Sequence, residues 1–280
     1  MSRAVFVVDV KSGQGHLVRS RALMTELASR GWRCSMVSKP PGSVASHDVT
    51  IFDGPAFDCP EAYDQASGKP VVAIVDTPGA RHGADLTVCG SAGAKPDMFT
   101  CSGCVKTQGN ATMVVCAGPQ YALLRPEFRA MRDWPPYGPM LPMPGVNISR
   151  MDGSDCTFDV RAIEDQPAEA IAKWMRAAKV VITYAGMRAM EAACVGAPIE
   201  VFVRNEGERL NARGLMNGGA ALVFWTSDEA KCNPEDRLAA FCLDTTEGHE
   251  ALRTMSEAGR ALVDGLGCQR VADAIERMIG

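Results

Sequence analysis

Apolar residues along the first half of the chain fall into short runs, at 4–10, 34–38, 49–52, 71–75, 86–89 and 113–116, each closed by a glycine, a proline or a charged residue close by. The runs are rich in valine and too short for helices. They also lack the polar alternation of a half-exposed strand, so they predict strands buried on both faces. Behind the first run, Val18, Ala22, Leu23 and Leu27 recur at helical spacing and Gly31 supplies a stop, which predicts a helix to about residue 30. Strand and helix alternating in this way predict a parallel sheet covered on both faces. Ligands of such sheets gather at the carboxyl ends of the strands.

Residues 134–145 break the pattern, because prolines crowd a stretch that can continue neither a helix nor a central strand. Residues 136–145 therefore read as a linker between a first domain, 1–135, and a second, 146–280. The second repeats the grammar of the first, with strands at 157–162, 180–183, 199–203 and 221–224. Helices are expected over about 167–178, after Gly186, from about 208, and through most of 235–280. The architecture expected is α/β, with two Rossmann-like halves facing each other across a cleft.

Composition narrows the function without naming it. No apolar run approaches the roughly twenty residues that a membrane span needs, and Met1-Ser-Arg leads directly into the first strand with no signal pattern. The chain is expected to be cytoplasmic, with no membrane partner. A net charge of −4 gives no global attraction to nucleic acid. Local clusters do exist at Arg19, Arg21, Arg30 and Arg33, and at Arg125, Arg129 and Arg132. Apart from Arg19 they read as solvated helix faces, the alternative being a rim that reaches a polyanion. The eleven cysteines are scattered and odd in number, as reduced thiols are. Cys89, Cys101, Cys104 and Cys116 could make a zinc site, but strand ends are common places for small buried thiols, and no metal is expected.

Candidate chemistry collects at two strand-to-helix turns. Gly13, Gln14 and Gly15 follow the first strand and His16 opens the helix. There unpaired backbone N–H groups face outward at the positive end of the helix dipole, and glycine lets a ligand approach them. The same dipole disfavours an imidazolium, leaving His16 suited to act as a general base. Asp76 closes the run 71–75 at the same carboxyl edge, where it either looks into the cleft or starts the Asp-Thr-Pro-Gly turn. In the second half Gly186 again follows a strand and precedes a helix, offering a second anion-binding terminus. Glu191 lies on that helix, as a sugar-hydroxyl ligand or a surface glutamate, and Arg204-Asn205-Glu206 ends the next strand. Two such turns suggest one shared phosphate ligand.

Gly13-Gln-Gly-His16-Leu-Val-Arg19 resembles the Gly-x-Gly-His-x-x-Arg signature of the UDP-2,4-diacetamido-2,4,6-trideoxy-β-L-altropyranose hydrolases, and Tyr121-Ala-Leu-Leu-Arg-Pro-Glu-Phe128 looks like their second hallmark. The stretch from Ala185 to Pro198, followed by Asn205-Glu206 and Asn211-Ala212, is similar to the donor-binding region shared with GT-B glycosyltransferases. The resemblance implies a GT-B fold that binds a UDP-sugar and needs no further cofactor. It implies that His16 activates the attacking oxygen, that Asn205 orients the sugar or the nucleophile, and that Gly186, Met187 and Arg188 face uridine and diphosphate, with Glu191 on the ribose hydroxyls. Asp76, with Thr77 after it, stands where the family carries paired aspartates, and Glu206 replaces a glutamine. The family's Gly-Gly-Ser-Asp phosphate turn is matched only by Asp152-Gly153-Ser154-Asp155, so the C-terminal half is expected to be short by one β-α unit. The expected activity is inverting transfer of a sugar to an acceptor hydroxyl, the acceptor being a small molecule, a glycan or a hydroxylated nucleic-acid base. Transfer to water, or a non-catalytic nucleotide-sugar-binding module, are the other readings.

Overall fold

The computed structural model describes residues 1–11, 13–39, 46–57, 68–80, 84–100, 113–133, 150–151, 155–159, 166–225 and 246–280. These form two compact units, Met1–Leu124 with Leu266–Gly280, and Arg125–Gly265. The expected linker, Cys101, Cys104 and residues 152–154 lie outside the described residues.

In the first unit the apolar runs become β1 (Arg3–Val8), β2 (Arg33–Val37), β3 (Val49–Asp53) and β4 (Val71–Ile74). They are followed by β5 (Gly79–Ala80), β6 (Leu86–Cys89), β7 (Phe99–Thr100) and β8 (Val114–Ala117). A six-stranded parallel sheet runs in the order β2-β1-β3-β4-β6-β8, while β5 and β7 pair separately. β1 ends two residues before its apolar run does, because Val10 N–H turns back to the Val8 carbonyl and leaves Val10 exposed. The helix α1 (Gln14–Ser29) buries Ser20, Ala22, Leu23 and Leu27. The C-terminal helix, α7 (Gly267–Ile279), adds Val271, Ala272 and Ile275 to the same core around Phe6, Ile51 and Val88. The sequence placed that helix in the second half. Its packing partners are in the first, and Gly267 lies so close to Ala122 that a Cβ would stand 2.1 Å from the Ala122 oxygen.

The second unit contains α2 (Pro126–Ala130), β9 (Arg150–Met151), β10 (Asp155–Asp159), α3 (Ala168–Ala177) and β11 (Val180–Tyr184). After them come α4 (Met187–Val195), β12 (Ile199–Val203), α5 (Glu206–Asn217), β13 (Ala221–Trp225) and α6 (Thr246–Leu262). Strands run in the order β13-β12-β11-β10-β9, parallel except for β9 against β10. α4 is buried from Ala189 to Val195 and stops at Gly196, whose φ of 76° is the left-handed C-terminal signal. Asp155, read in the sequence as the end of a phosphate turn, instead opens a strand.

The sequence reading of the arginine clusters changes here. Arg129 and Arg132 are not a solvated face. Arg132 donates to the carbonyls of Val263 at 2.5 Å, Arg260 at 2.9 Å and Cys194 at 3.3 Å, and Arg129 donates to the Asp264 carbonyl, so they neutralise the negative ends of α6 and α4. Arg30 is likewise engaged, with Glu26, Asp273 and Glu276. A polyanion rim built on these residues loses its cations. Cys89 and Cys116 also cannot share an ion, because Cys116 pairs in register with Val88 and Cys89 with Ala117, which points the two thiols to opposite faces of the sheet. Both are free thiols, and burial pushes Cys116 up to about 11. Among the described residues no helix is long and apolar enough to cross a membrane.

Candidate functional site

The first unit's sheet reverses its direction of growth between β1 and β3. Such a switch point is where open α/β sheets bind ligands. β3 ends there in Asp53, whose side chain is fully buried. Its Oδ1 accepts from His16 Nδ1 at 2.9 Å and from Arg19 Nη2 at 2.6 Å, and its Oδ2 accepts from Ser20 Oγ at 2.7 Å. Burial opposes the charge on Asp53, but Arg19 and His16 outweigh it and hold the carboxyl below the usual carboxylate range. Arg19 in turn bridges Asp53 and Asp76, joining the ends of β3 and β4.

This network fixes the histidine's tautomer. Arg19 Nη2 also lies 2.9 Å from His16 Nδ1, but the Asp53 carboxylate can only accept, so the 2.9 Å contact between Nδ1 and Oδ1 is a hydrogen bond only if Nδ1 is the donor. Nδ1 therefore carries a hydrogen toward Asp53, and the lone pair of the neutral ring sits on Nε2. Asp76 Oδ2 is 3.9 Å from Nε2 and its side chain is 47% exposed, against 11% for His16. A base, oriented by a buried acid and flanked by a second carboxylate, is the arrangement for taking a proton from a hydroxyl.

Beside it, α1 begins without a side-chain cap and without an acidic residue in its first turn. Its N-cap, Gly13, has φ 129°, which side chains rarely adopt. Gly15 is different: it is helical and a Cβ there would meet nothing within 4 Å. Glycine inside a helix costs about 0.5–1 kcal/mol relative to alanine, so the packing of the protein gives no reason for it. Gln14 is exposed in the same turn.

The second unit repeats the feature on its own sheet. Gly186 caps α4 with no side-chain hydrogen bond, no acid follows in the first turn, and a Cβ on Gly186 would again touch nothing within 4 Å. Asn211, on α5, donates to the carbonyls of Ala185 at 2.9 Å and Gly186 at 3.4 Å and so holds the turn. Met187 and Arg188 form the helix's first turn. Arg188 Nη1 reaches Glu191 Oε2 at 2.9 Å, and Arg125 Nε reaches Oε1 at 2.9 Å. Glu191 is wholly buried, and burial raises its carboxyl against the opposing pull of Arg188 and Arg125. It is therefore not a surface glutamate.

α5 shows the contrast. Asn205 caps it, its Oδ1 accepting from Glu208 N–H at 3.1 Å, and Glu206 and Glu208 occupy its first turn. That helix satisfies its own positive end. Asn205 therefore has its carbonyl oxygen committed, and Glu206 is exposed and paired with Arg209 at 2.6 Å. Arg204 stacks over Tyr184 at 3.8 Å while bonding Glu208 at 2.5 Å. Asp53 and Ser20 are residues the sequence reading did not single out, and Asn211 entered it only as part of the donor-binding resemblance. Asp53 carried the same signal as Asp76, an acid closing an apolar run.

No protein-family model matches the chain, and no curated protein does. Solved structures do match over its whole length. MurG from Acinetobacter baumannii is 15% identical with a TM-score of 0.61, covering 99% of this chain and 100% of that one. The glycotransferase of kitacinnamycin is 16% identical at a TM-score of 0.56, covering 100% and 99%. The spinosyn rhamnosyltransferase SpnG is 13% identical at 0.54, covering 98% and 100%. The fold is thus α/β of the GT-B type.

Proposed function

We propose that the protein is a glycosyltransferase that moves a sugar from a nucleotide-sugar donor, a UDP-sugar, to an acceptor hydroxyl with inversion. The bond between His16 and Asp53 at the sheet's switch point carries the reading, since it leaves Nε2 as a base at a place built for ligands. His16 takes the proton of the attacking hydroxyl, and Asp53 stabilises the imidazolium that forms. Arg19 holds Asp53 and Asp76 in place. In the second unit Gly186, Met187 and Arg188 receive the donor diphosphate through uncapped N–H groups and a guanidinium, which bind the leaving group without requiring a divalent metal. Asn205, through its amide NH₂, orients the sugar. The fold likeness to glycosyltransferases supports this reading.

The signature Gly13-Gln-Gly-His16-Leu-Val-Arg19 favours a second reading, in which water replaces the acceptor, for water and an alcohol need the same base. Incubation with a panel of UDP-sugars separates the two. Release of UDP together with free sugar, with no acceptor added, identifies the hydrolase. Turnover that waits for an added acceptor identifies the transferase, and no turnover with any donor or acceptor rejects both.

A further inference from the structure

Asp53 and Asp76 both bind Arg19, but they are left in different states by it. Asp53 is fully buried with both oxygens engaged, whereas the Asp76 side chain is 47% exposed. Arg19 Nη1 holds Asp76 Oδ1, while Nη2, already 2.6 Å from Asp53, lies 3.5 Å from Asp76 Oδ2. Oδ2 therefore keeps capacity to accept, and it is the oxygen nearer His16 Nε2, 3.9 Å away. A nucleophile brought to His16 thus meets two acceptors, a neutral imidazole nitrogen and a carboxylate oxygen. The carboxylate is the stronger of them. A lone hydroxyl within reach of both gives its single proton to Asp76, and Nε2 then faces an oxygen without the proton it must remove. A second donor on the neighbouring carbon resolves the conflict, because it occupies Oδ2 and frees the first proton for Nε2. Neighbouring hydroxyls of a gauche diol lie about one hydrogen-bond length apart, so the pair can span two acceptors at 3.9 Å.

We propose that the acceptor carries a second proton donor, a hydroxyl or an amine, on the carbon next to the attacking hydroxyl, and that Asp76 binds it. This rests on the transferase reading given above. In the reaction the attacking oxygen forms its bond to the anomeric carbon as the bond to the diphosphate breaks. UDP leaves with the electron pair, Nε2 keeps the proton, and the second donor stays on Asp76 unchanged. Hydrogen bonds to an ionised group are the stronger ones, so an acceptor that lacks the second donor should lose about tenfold to a hundredfold in kcat/KM.

The test uses the whole protein, a donor from the UDP-sugar screen and two sets of probe acceptors. One set is cyclohexane-1,2-diol, 2-aminocyclohexanol and cyclohexanol, and the other is catechol, 2-aminophenol and phenol. Wild type should glycosylate the diol or the amino alcohol of a set about tenfold to a hundredfold faster than its monohydric partner, well beyond the doubling that a second reactive hydroxyl gives by number alone. Whichever of the two is faster identifies the second donor. Asp76→Ala should bring that ratio close to one. Damage to the packing around Arg19 would lower both rates together and leave the ratio as it was, so a ratio that survives in Asp76→Ala overturns the assignment. Transfer to the monohydric alcohols as fast as to their partners also overturns it, while leaving the transferase reading standing. Free sugar as the sole product, with every acceptor ignored, overturns both. Thermal melts verify that Asp76→Ala is folded, and should it not fold, the wild-type ratio alone decides.

Discussion

Asp53 keeps its charge in a fully buried position because His16, Arg19 and Ser20 all donate to it. Removing one partner of a buried ion pair costs roughly 3–5 kcal/mol, so Asp53→Asn should lower the melting temperature. It should also lower turnover by about 10²-fold or more, since the imidazole loses the acceptor that sets its tautomer. The pH dependence has a definite sign. The folded carboxyl titrates below its unfolded value of about 3.9, so its contribution is complete above that pH and is lost as the pH falls through the lowered folded value. The melting-temperature gap between wild type and Asp53→Asn should therefore be widest near pH 7 and narrow below about pH 4. A gap that widens in acid would contradict the assignment. Gly186 makes the opposite prediction for stability. With φ −101° and open space at its Cβ, Gly186→Ala should melt at or slightly above the wild-type temperature, yet bind UDP about tenfold more weakly.

At the scale of elements, the sheets were legible and the roles of several side chains were not. Short valine-rich runs bounded by Gly, Pro or charge became strands within one or two residues, because burial on both faces leaves few other conformations for the central ones; the edge strand β2, expected to be buried on both faces, has no buried residue. β1 ended early since Val10, though apolar, lies past the sheet edge. The two glycine turns could be read because a strand, a glycine and a helical repeat follow in order. Asp53 was missed although it closes β3 as Asp76 follows β4. Nothing local says that one acid is buried under Arg19 and the other half-exposed. Arg129 and Arg132 look like a solvated face by spacing, whereas their partners are carbonyls more than a hundred residues away. Glu191 sits on a helix buried nearly all round, so periodicity gives it no outer face to be assigned to. α7 shows the same limit, since an amphipathic stripe does not name the sheet it covers. Gly267→Ala tests that docking: a Cβ 2.1 Å from the Ala122 oxygen must displace backbone, an overpacking that costs about 1–3 kcal/mol. Calorimetry should show a lowered transition for the first unit, and an unchanged melt would mean the helix is not held there.

On the scale of the whole molecule, each unit carries one half of the proposed chemistry. The first has the oriented base and the carboxylates around it, and the second has the uncapped helix start with its arginines. α1 and α4 each follow a glycine and, like α7, begin with neither a side-chain cap nor a first-turn acid, while α5 supplies its own cap and acids. Binding and proton transfer are therefore separable by mutation. Once the UDP-sugar screen has supplied a donor, the most direct measurement compares wild type with His16→Ala, recording affinity for that donor and turnover side by side. The account predicts that donor affinity changes less than about threefold while turnover falls by about 10²–10⁴-fold, the usual contribution of a general base. Undiminished turnover in His16→Ala would contradict it.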